Sequence, residues 1–189
     1  MVDFENDIAQ CLKILQSGGI ILYPTDTVWG IGCDATNDAA VAKIYALKKR
    51  TDEKAMIVLV AEEREILKYV ASPDLQVFDY LQQSVKPTTV IYDGAIGLAD
   101  NLVGNDGSIA IRICHEEFCR HLIKRFRKPI VSTSANISGQ PAARVFAEIN
   151  DEIKNGVDYI AEYRRGDESI AEPSTVIKWN NGAVIVIRS

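Results

Sequence analysis

No stretch of this sequence is apolar for long enough to cross a bilayer. The longest runs, Ile20-Ile21-Leu22-Tyr23 and Met56-Ile57-Val58-Leu59-Val60-Ala61, fall far short of the roughly 20 residues a spanning helix needs. The start, Met1 to Asp7, is acidic and lacks the basic and then apolar order of a signal peptide. The expected location is therefore the cytoplasm. There is no CxxC pair either. Cys11, Cys33, Cys114 and Cys119 are scattered, a pattern of reduced, buried thiols rather than a disulfide framework. Histidine is scarce: His115 and His121 are the two in the chain. The segment Cys114 to His121 follows HExxH only to its second residue, because Cys119 stands where the second histidine belongs. On a helix, positions 115, 119 and 121 do not converge, so a structural helix is expected there rather than zinc.

Positive charge is not in excess, since the net charge is −5. That excludes a protein that coats itself on nucleic acid and confines any RNA contact to a weak, local or indirect one. The GxxxxGK[ST] pattern of a P-loop is absent, and Gly30-Ile31-Gly32 lacks the third glycine of GxGxxG. Nothing forms a Ser-His-Asp or Cys-His nucleophilic set. No linker, repeat or low-complexity tract interrupts the chain, so residues 1–189 read as a single domain.

What is present is the composition of a folded globular protein, with 47% apolar and 25% charged residues. Strand and helix signals alternate, which predicts an α/β architecture. Ile8, Leu12 and Leu15 mark the inner face of a first helix over 4–17, stopped by Gly18-Gly19. A buried strand follows over 20–23. Asp38 is read as the N-cap of a helix reaching Arg50. Further strands are expected over 56–60, 88–92, 109–113 and 129–133, and helices over 62–70, 73–83, 115–127 and 144–155. Two β-rich runs, Ser174 to Trp179 and Ala183 to Arg188, flank Asn180-Asn181-Gly182. Asn-Gly supplies the positive φ angles of a tight turn, so an antiparallel hairpin makes the sheet mixed.

Four polar segments lie beside predicted strand ends or helix termini, where ligand crevices form in open α/β sheets. In Tyr23 to Asp34, threonine hydroxyls such as that of Thr27 can bind a small polar substrate, or merely cap a strand-to-helix turn. Lys48 follows Ile44 and Tyr45 on an inward row of its helix, with Arg50 and Lys54 beyond. An inward lysine needs an anionic partner or must snorkel to water, whereas the plainer reading is a cation stabilising a helix terminus. Ser132 to Pro141, including Ser134, Asn136 and Gln140, packs many small donors after a strand. That suits phosphate or carboxylate, or simply a turn. Finally, Arg112 lies on the strand face opposite Ile111 and Ile113, near Ser108, Ser174 and Arg188. It is solvent-facing unless that face lines a crevice, where its planar fork suits a carboxylate or phosphate.

YPTDTVWGIG, Lys48-x-Arg50 with Lys54, SIAIR, STSANISGQP and STVI occur in this order across almost the whole chain. Together they resemble the YrdC-type threonylcarbamoyl-AMP synthases in their short, single-domain form. The resemblance implies a YrdC/RibB-like fold: an open, twisted, mixed parallel and antiparallel sheet with flanking helices around a deep electropositive cavity. It implies an enzyme that condenses L-threonine, bicarbonate and ATP, with magnesium, into threonylcarbamoyl-AMP and pyrophosphate. A separate transfer complex then uses the product to modify tRNA beside the anticodon. By the same resemblance, Thr27, Arg112, Ser132 and Ser174 surround threonine or its carbamoyl product. Arg50, Lys54, Ser108, Ser134, Arg188 and the backbone near Ala142 surround ATP. Lys48, Arg50 and Asn136 act in catalysis or orient the triphosphate, and Asp26 is a candidate magnesium ligand.

Two departures from the family pattern matter. Lys86-Pro87-Thr88-Thr89 stands where relatives carry a PGPxT-like segment, and Leu59 stands where many place a histidine. The rival readings are an RNA-binding or ribosome-assembly module without adenylation, and carbamoyl transfer to another acceptor.

Overall fold

In the computed structural model, residues 4–50, 56–180 and 182–189 are described. The chain forms β1 (Ile21–Tyr23), β2 (Gly30–Gly32), β3 (Ile57–Val60), β4 (Thr88–Tyr92), β5 (Ile109–Ile113), β6 (Ile130–Ser134), β7 (Tyr159–Ile160), β8 (Thr175–Asn180) and β9 (Ala183–Arg188). They form one open sheet in the order β7-β1-β2-β6-β3-β5-β4-β8-β9. Pairing is mixed: β3 with β5, β4 with β8 and β1 with β7 run parallel, and the other neighbours run antiparallel. The expected mixed α/β sheet is present.

Side-chain alternation along the strands sorts residues onto the two faces. Val58, Val60, Val90, Ile109, Ile111, Val131 and Ile177 point to one face and are buried. Helices α2 (Asp38–Leu47), α3 (Glu63–Ile66), α4 (Gln76–Gln83) and α6 (Asp151–Gly156) supply the apolar residues Val41, Ile44, Ile66, Val77 and Ile153 to the same core. The other face is covered only in part. There α1 (Glu5–Gln16) and α5 (Glu117–Phe126) pack Ile8, Cys11, Leu15, Phe118, Leu122 and Ile123 over Leu59 and Ile130. The buried carboxylate of Asp7 ties α1 to the β7 edge by accepting the Tyr159 hydroxyl and the backbone N–H groups of Glu162 and Tyr163. Beyond α1 and α5 this face of the sheet is open, and the open part positions the site.

Several boundaries differ from the sequence reading. Asn37, not Asp38, caps α2, accepting the Ala40 N–H at 3.1 Å. Asp38 instead accepts the Asp100 N–H at 2.7 Å. The helix expected over 144–155 shrinks to Asp151–Gly156, preceded by a short 3-10 turn at Phe146–Glu148. Ile149 and Asn150 are extended at that point, and the Asn150 side chain starts α6 afresh by accepting the Glu152 N–H. Gly30–Gly32, read as part of a loop, is a strand between β1 and β6. Its glycines are required by close approach: a Cβ on Gly32 would lie 2.5 Å from the Val131 carbonyl oxygen and 2.6 Å from Tyr23 Cε1. Gly32→Ala is therefore expected to destabilise the protein by about 1–3 kcal/mol, the cost of overpacking a closed core, measured by urea unfolding. The C-terminal hairpin forms as expected, with Gly182 at φ +84°.

Candidate active site

The uncovered half of the second face holds a cavity of about 650 Å³. The period-2 rule explains its lining. Ile130 of β6 lies under α1 and α5 while Ser132 and Ser134, on the same face, reach the cavity. Ala110 and Arg112 of β5 and Ile91 of β4 line it on the same principle. Thr27, Arg50, Ser108, Arg112, Ser132, Ser134, Asn136, Ala142, Ser174 and Arg188 all lie on its wall, although the chain separates them by up to 161 positions (188 − 27). Three of these residues are arginines, and no carboxylate is among the described residues that line the cavity. Local positive potential thus coexists with a net-acidic chain.

Arg112 is the most constrained of these groups. It is 3% exposed, and its Nη2 donates to Asp26 Oδ1 at 3.0 Å and to Thr27 Oγ1 at 3.2 Å. Its Nε is buried and has no hydrogen-bond partner. A buried guanidinium with an idle N–H beside a cavity is matched to an anion that reaches it from that cavity. The threonine segment is braced from within. Thr25 Oγ1 lies 3.0 Å from Thr27 Oγ1, donates to the Val28 carbonyl at 2.9 Å and accepts the Thr27 N–H at 3.0 Å. Across the cavity, Ser174 Oγ lies 2.8 Å from Thr89 Oγ1, and its carbonyl accepts from Arg188 Nη2 at 3.0 Å. Thr25 and Thr89 are support residues that the sequence reading did not single out. Thr89 stands in the altered Lys86-Pro87-Thr88-Thr89 segment, so that departure keeps the hydroxyl that positions Ser174.

Asp26, Leu59 and Lys48 lie off the cavity wall. Asp26 does not line the cavity: Oδ1 is committed to Arg112, Oδ2 accepts the His115 N–H at 3.4 Å, and the residue faces a separate cleft. Leu59 is buried beneath α5, on the strand position paired with Arg112. Lys54 lies outside the described residues. Lys48 does point inward, at 3% exposure, but it neither meets an anion nor snorkels to water. Its ammonium donates to the carbonyls of Ser134 at 2.5 Å and Asn136 at 2.6 Å, behind the cavity wall rather than on it. Carbonyl dipoles from the neighbouring loop satisfy the charge, a partner that helix periodicity could not reveal.

Burial, and secondarily the Arg50 guanidinium, lowers the Lys48 pKa from 10.5 to about 8. Between those values the unfolded chain binds a proton that the folded chain has released, so stability rises with pH there. Relative to Lys48→Met, the wild type should gain on the order of 3 kcal/mol between pH 8 and pH 10.5. Urea unfolding of both proteins across that range measures it. A constant difference would mean that the two carbonyls fully offset the burial.

Comparison with known proteins agrees with this geometry. The Sua5, YciO and YrdC family model, described as Telomere recombination, matches residues 13–189. A threonylcarbamoyl-AMP synthase from Idiomarina loihiensis is 36% identical over 169 residues, covering 88% of this chain and 90% of that protein. One from Pseudoalteromonas translucida is 32% identical over 183 residues, covering 95% and 97%. Among solved structures, P. abyssi Sua5 complexed with L-threonine superposes with a TM-score of 0.87 at 21% identity. That match covers 100% of this chain and 55% of the Sua5 chain, so the likeness is one of fold over about half of that protein.

Proposed function

This chain belongs to the Sua5, YciO and YrdC family, and from that premise we propose that it synthesises threonylcarbamoyl-AMP from L-threonine, bicarbonate and ATP. The observation that carries the reading is the cavity itself. Its wall presents a buried arginine fork among hydroxyls, suited to a carboxylate, beside Arg50, Arg188 and the serine-rich loop, suited to a polyphosphate. The relatives named threonylcarbamoyl-AMP synthase support the same assignment. We treat residues 1–189 as one catalytic domain.

Threonine's carboxylate would sit on Arg112, with Thr27, Ser132 and Ser174 around the rest of the amino acid. The amine adds to bicarbonate with loss of water, giving a carbamate. A carbamate oxygen then attacks the α-phosphorus of ATP. The new P–O bond forms as the bond to the β-phosphate bridging oxygen breaks, and pyrophosphate leaves with that electron pair. No covalent enzyme intermediate is required. The chain's task is to hold two anions in contact and stabilise the charge that grows between them, which Arg50, Lys54 and Arg188 do electrostatically. Ser108, Ser134 and the backbone near Ala142 would hold the nucleotide.

Magnesium fits one atom of this wall. Asn136 Nδ2 donates to the carbonyls of Ile137 at 3.0 Å and Gln140 at 2.7 Å, which fixes the amide orientation. Its Oδ1 is left buried and without a partner. Such an acceptor suits a cation or a hydroxyl and cannot bind a phosphate oxygen directly. When bound to the triphosphate, magnesium supplies charge neutralisation. The product would pass to a transfer complex acting on tRNA in the cytoplasm, and no helix among the described residues is long and apolar enough to cross a membrane.

The test is product formation by the purified chain with ATP, magnesium, L-threonine and labelled bicarbonate, each omitted in turn. Threonylcarbamoyl-AMP and pyrophosphate are expected only in the complete mixture. A folded, ATP-binding preparation that yields neither would end the synthase reading.

A further inference from the structure

Lys48 is the C-cap of helix α2, and the loop after β6 is built around it. The Lys48 ammonium holds the Ser134 and Asn136 carbonyls, while the Lys48 carbonyl accepts the Ser138 N–H at 2.9 Å. The Asn136 amide holds the Ile137 and Gln140 carbonyls. Four carbonyl oxygens between positions 134 and 140 are thereby engaged by donors of the protein. This has an electrostatic consequence for an anion site. A carbonyl turned toward a triphosphate repels it, whereas hydroxyls and N–H groups attract it. Ser134, Asn136 and Ala142 lie on the cavity wall, but Lys48 does not, so the carbonyls it binds point into the protein. Arg50, two residues further on, lies on the wall itself.

We propose that Lys48 is a positioning residue for ATP: it holds the 134–140 loop with its carbonyls turned from the cavity, and it does not touch phosphate. The two cations of Lys48-x-Arg50 thus divide the work, one bracing the loop from behind and one facing the ligand. For Lys48 to reach a phosphate, its ammonium would have to leave both carbonyls and expose them to the same anion. The inference rests on the synthase reading for the identity of the ligand.

The test compares wild type with Lys48→Met, using a non-hydrolysable ATP analogue and L-threonine in calorimetric titrations over a series of salt concentrations. Lys48→Met is expected to bind the analogue at least about tenfold more weakly, the order of one charge-assisted hydrogen bond lost through misplacement. Threonine affinity should stay within about twofold of wild type, because Arg112 and Ser174 are held by other contacts. The salt dependence of analogue binding should keep its slope, since no phosphate contact is removed. A clearly shallower salt dependence, the sign of a lost cation–phosphate contact, would overturn the proposal, as would unchanged analogue affinity. If Lys48→Met does not fold, a structure of the wild type with the analogue decides. Lys48 Nζ should remain on the Ser134 and Asn136 carbonyls, farther than about 4 Å from every phosphate oxygen, and a phosphate contact refutes the idea. Wild type that fails to bind the analogue at all would instead remove the synthase reading.

Discussion

Arg112→Ala is expected to lower kcat/KM for L-threonine by about 10²–10³-fold, the effect of deleting a buried charged donor aimed at a bound anion. The loss should appear mainly in threonine dependence, with ATP-analogue affinity changed far less, because Arg50 and Arg188 remain. A second consequence follows from the Asp26 contact. With Arg112 gone, the Asp26 carboxylate keeps only the long contact to the His115 N–H among its described partners. Removing one partner of a buried ion pair typically costs about 3–5 kcal/mol, so thermal unfolding of Arg112→Ala should shift downward. Arg112→Lys separates the two effects. A lysine can keep charge near Asp26 but lacks the planar fork, so stability should recover more than threonine turnover does. If both variants turn over threonine normally, the carboxylate assignment is wrong.

Arg50→Ala should show the opposite balance. Arg50 is partly exposed and lines the cavity just beyond α2, with its guanidinium 5.9 Å from the Tyr45 ring centre. Its removal takes away a partly exposed contact with the Tyr45 ring, and stability should stay within about 1 kcal/mol of wild type. Pyrophosphate release in the complete reaction should nevertheless fall by about 10²–10³-fold, through loss of charge stabilisation at the α-phosphorus of the transferring adenylyl group. Coupled pyrophosphate detection together with thermal unfolding measures both. Near-normal turnover in a folded Arg50→Ala protein would sink the electrostatic mechanism. On the proposed assignment, the two variants would separate a half of the cavity that takes the amino acid from a half that takes the nucleotide.

The rest of the site depends on contacts that are individually modest. Thr25 and Thr89 sit one layer behind Thr27 and Ser174, and each acts by fixing the hydroxyl of its neighbour. Thr25 lies within the YPTDTVWGIG motif, two residues from its partner, whereas Thr89 is a common strand threonine whose partner is distant in sequence. Ser174 lies 85 residues from Thr89. Lys48 was marked as inward by the spacing from Ile44 and Tyr45, and it is inward. What satisfies it lies 86 and 88 residues away, where no local pattern reaches.

Local physics explains why some elements were legible and others were not. The strands at 88–92 and 109–113 match their expected bounds because β-branched and apolar runs specify them directly. The hairpin at 175–188 follows from Asn-Gly turn geometry. By contrast, Gly30-Ile31-Gly32 has poor strand propensity and becomes β2 only because β1 and β6 flank it and glycine admits their close approach. The segment 144–155 mixes helix formers with Val145, Phe146 and Asn150, and the cap at Asn150 and an extended Ile149 divide it.

The sequence by itself determined which residues share a strand face, where the hairpin turns, that Lys48 falls on the inward row of its helix, and which family the combined motifs resemble. Those properties follow from periodicities of 2 and 3.6 and from turn chemistry, all local. Only the tertiary structure decided what covers each face. The period that places Arg112 opposite Ile111 is the same whether that face meets water, a helix or a ligand. It became a cavity wall because α1 and α5 cover only one end of the sheet, leaving Arg112, Ser132 and Ser174 around a shared cavity.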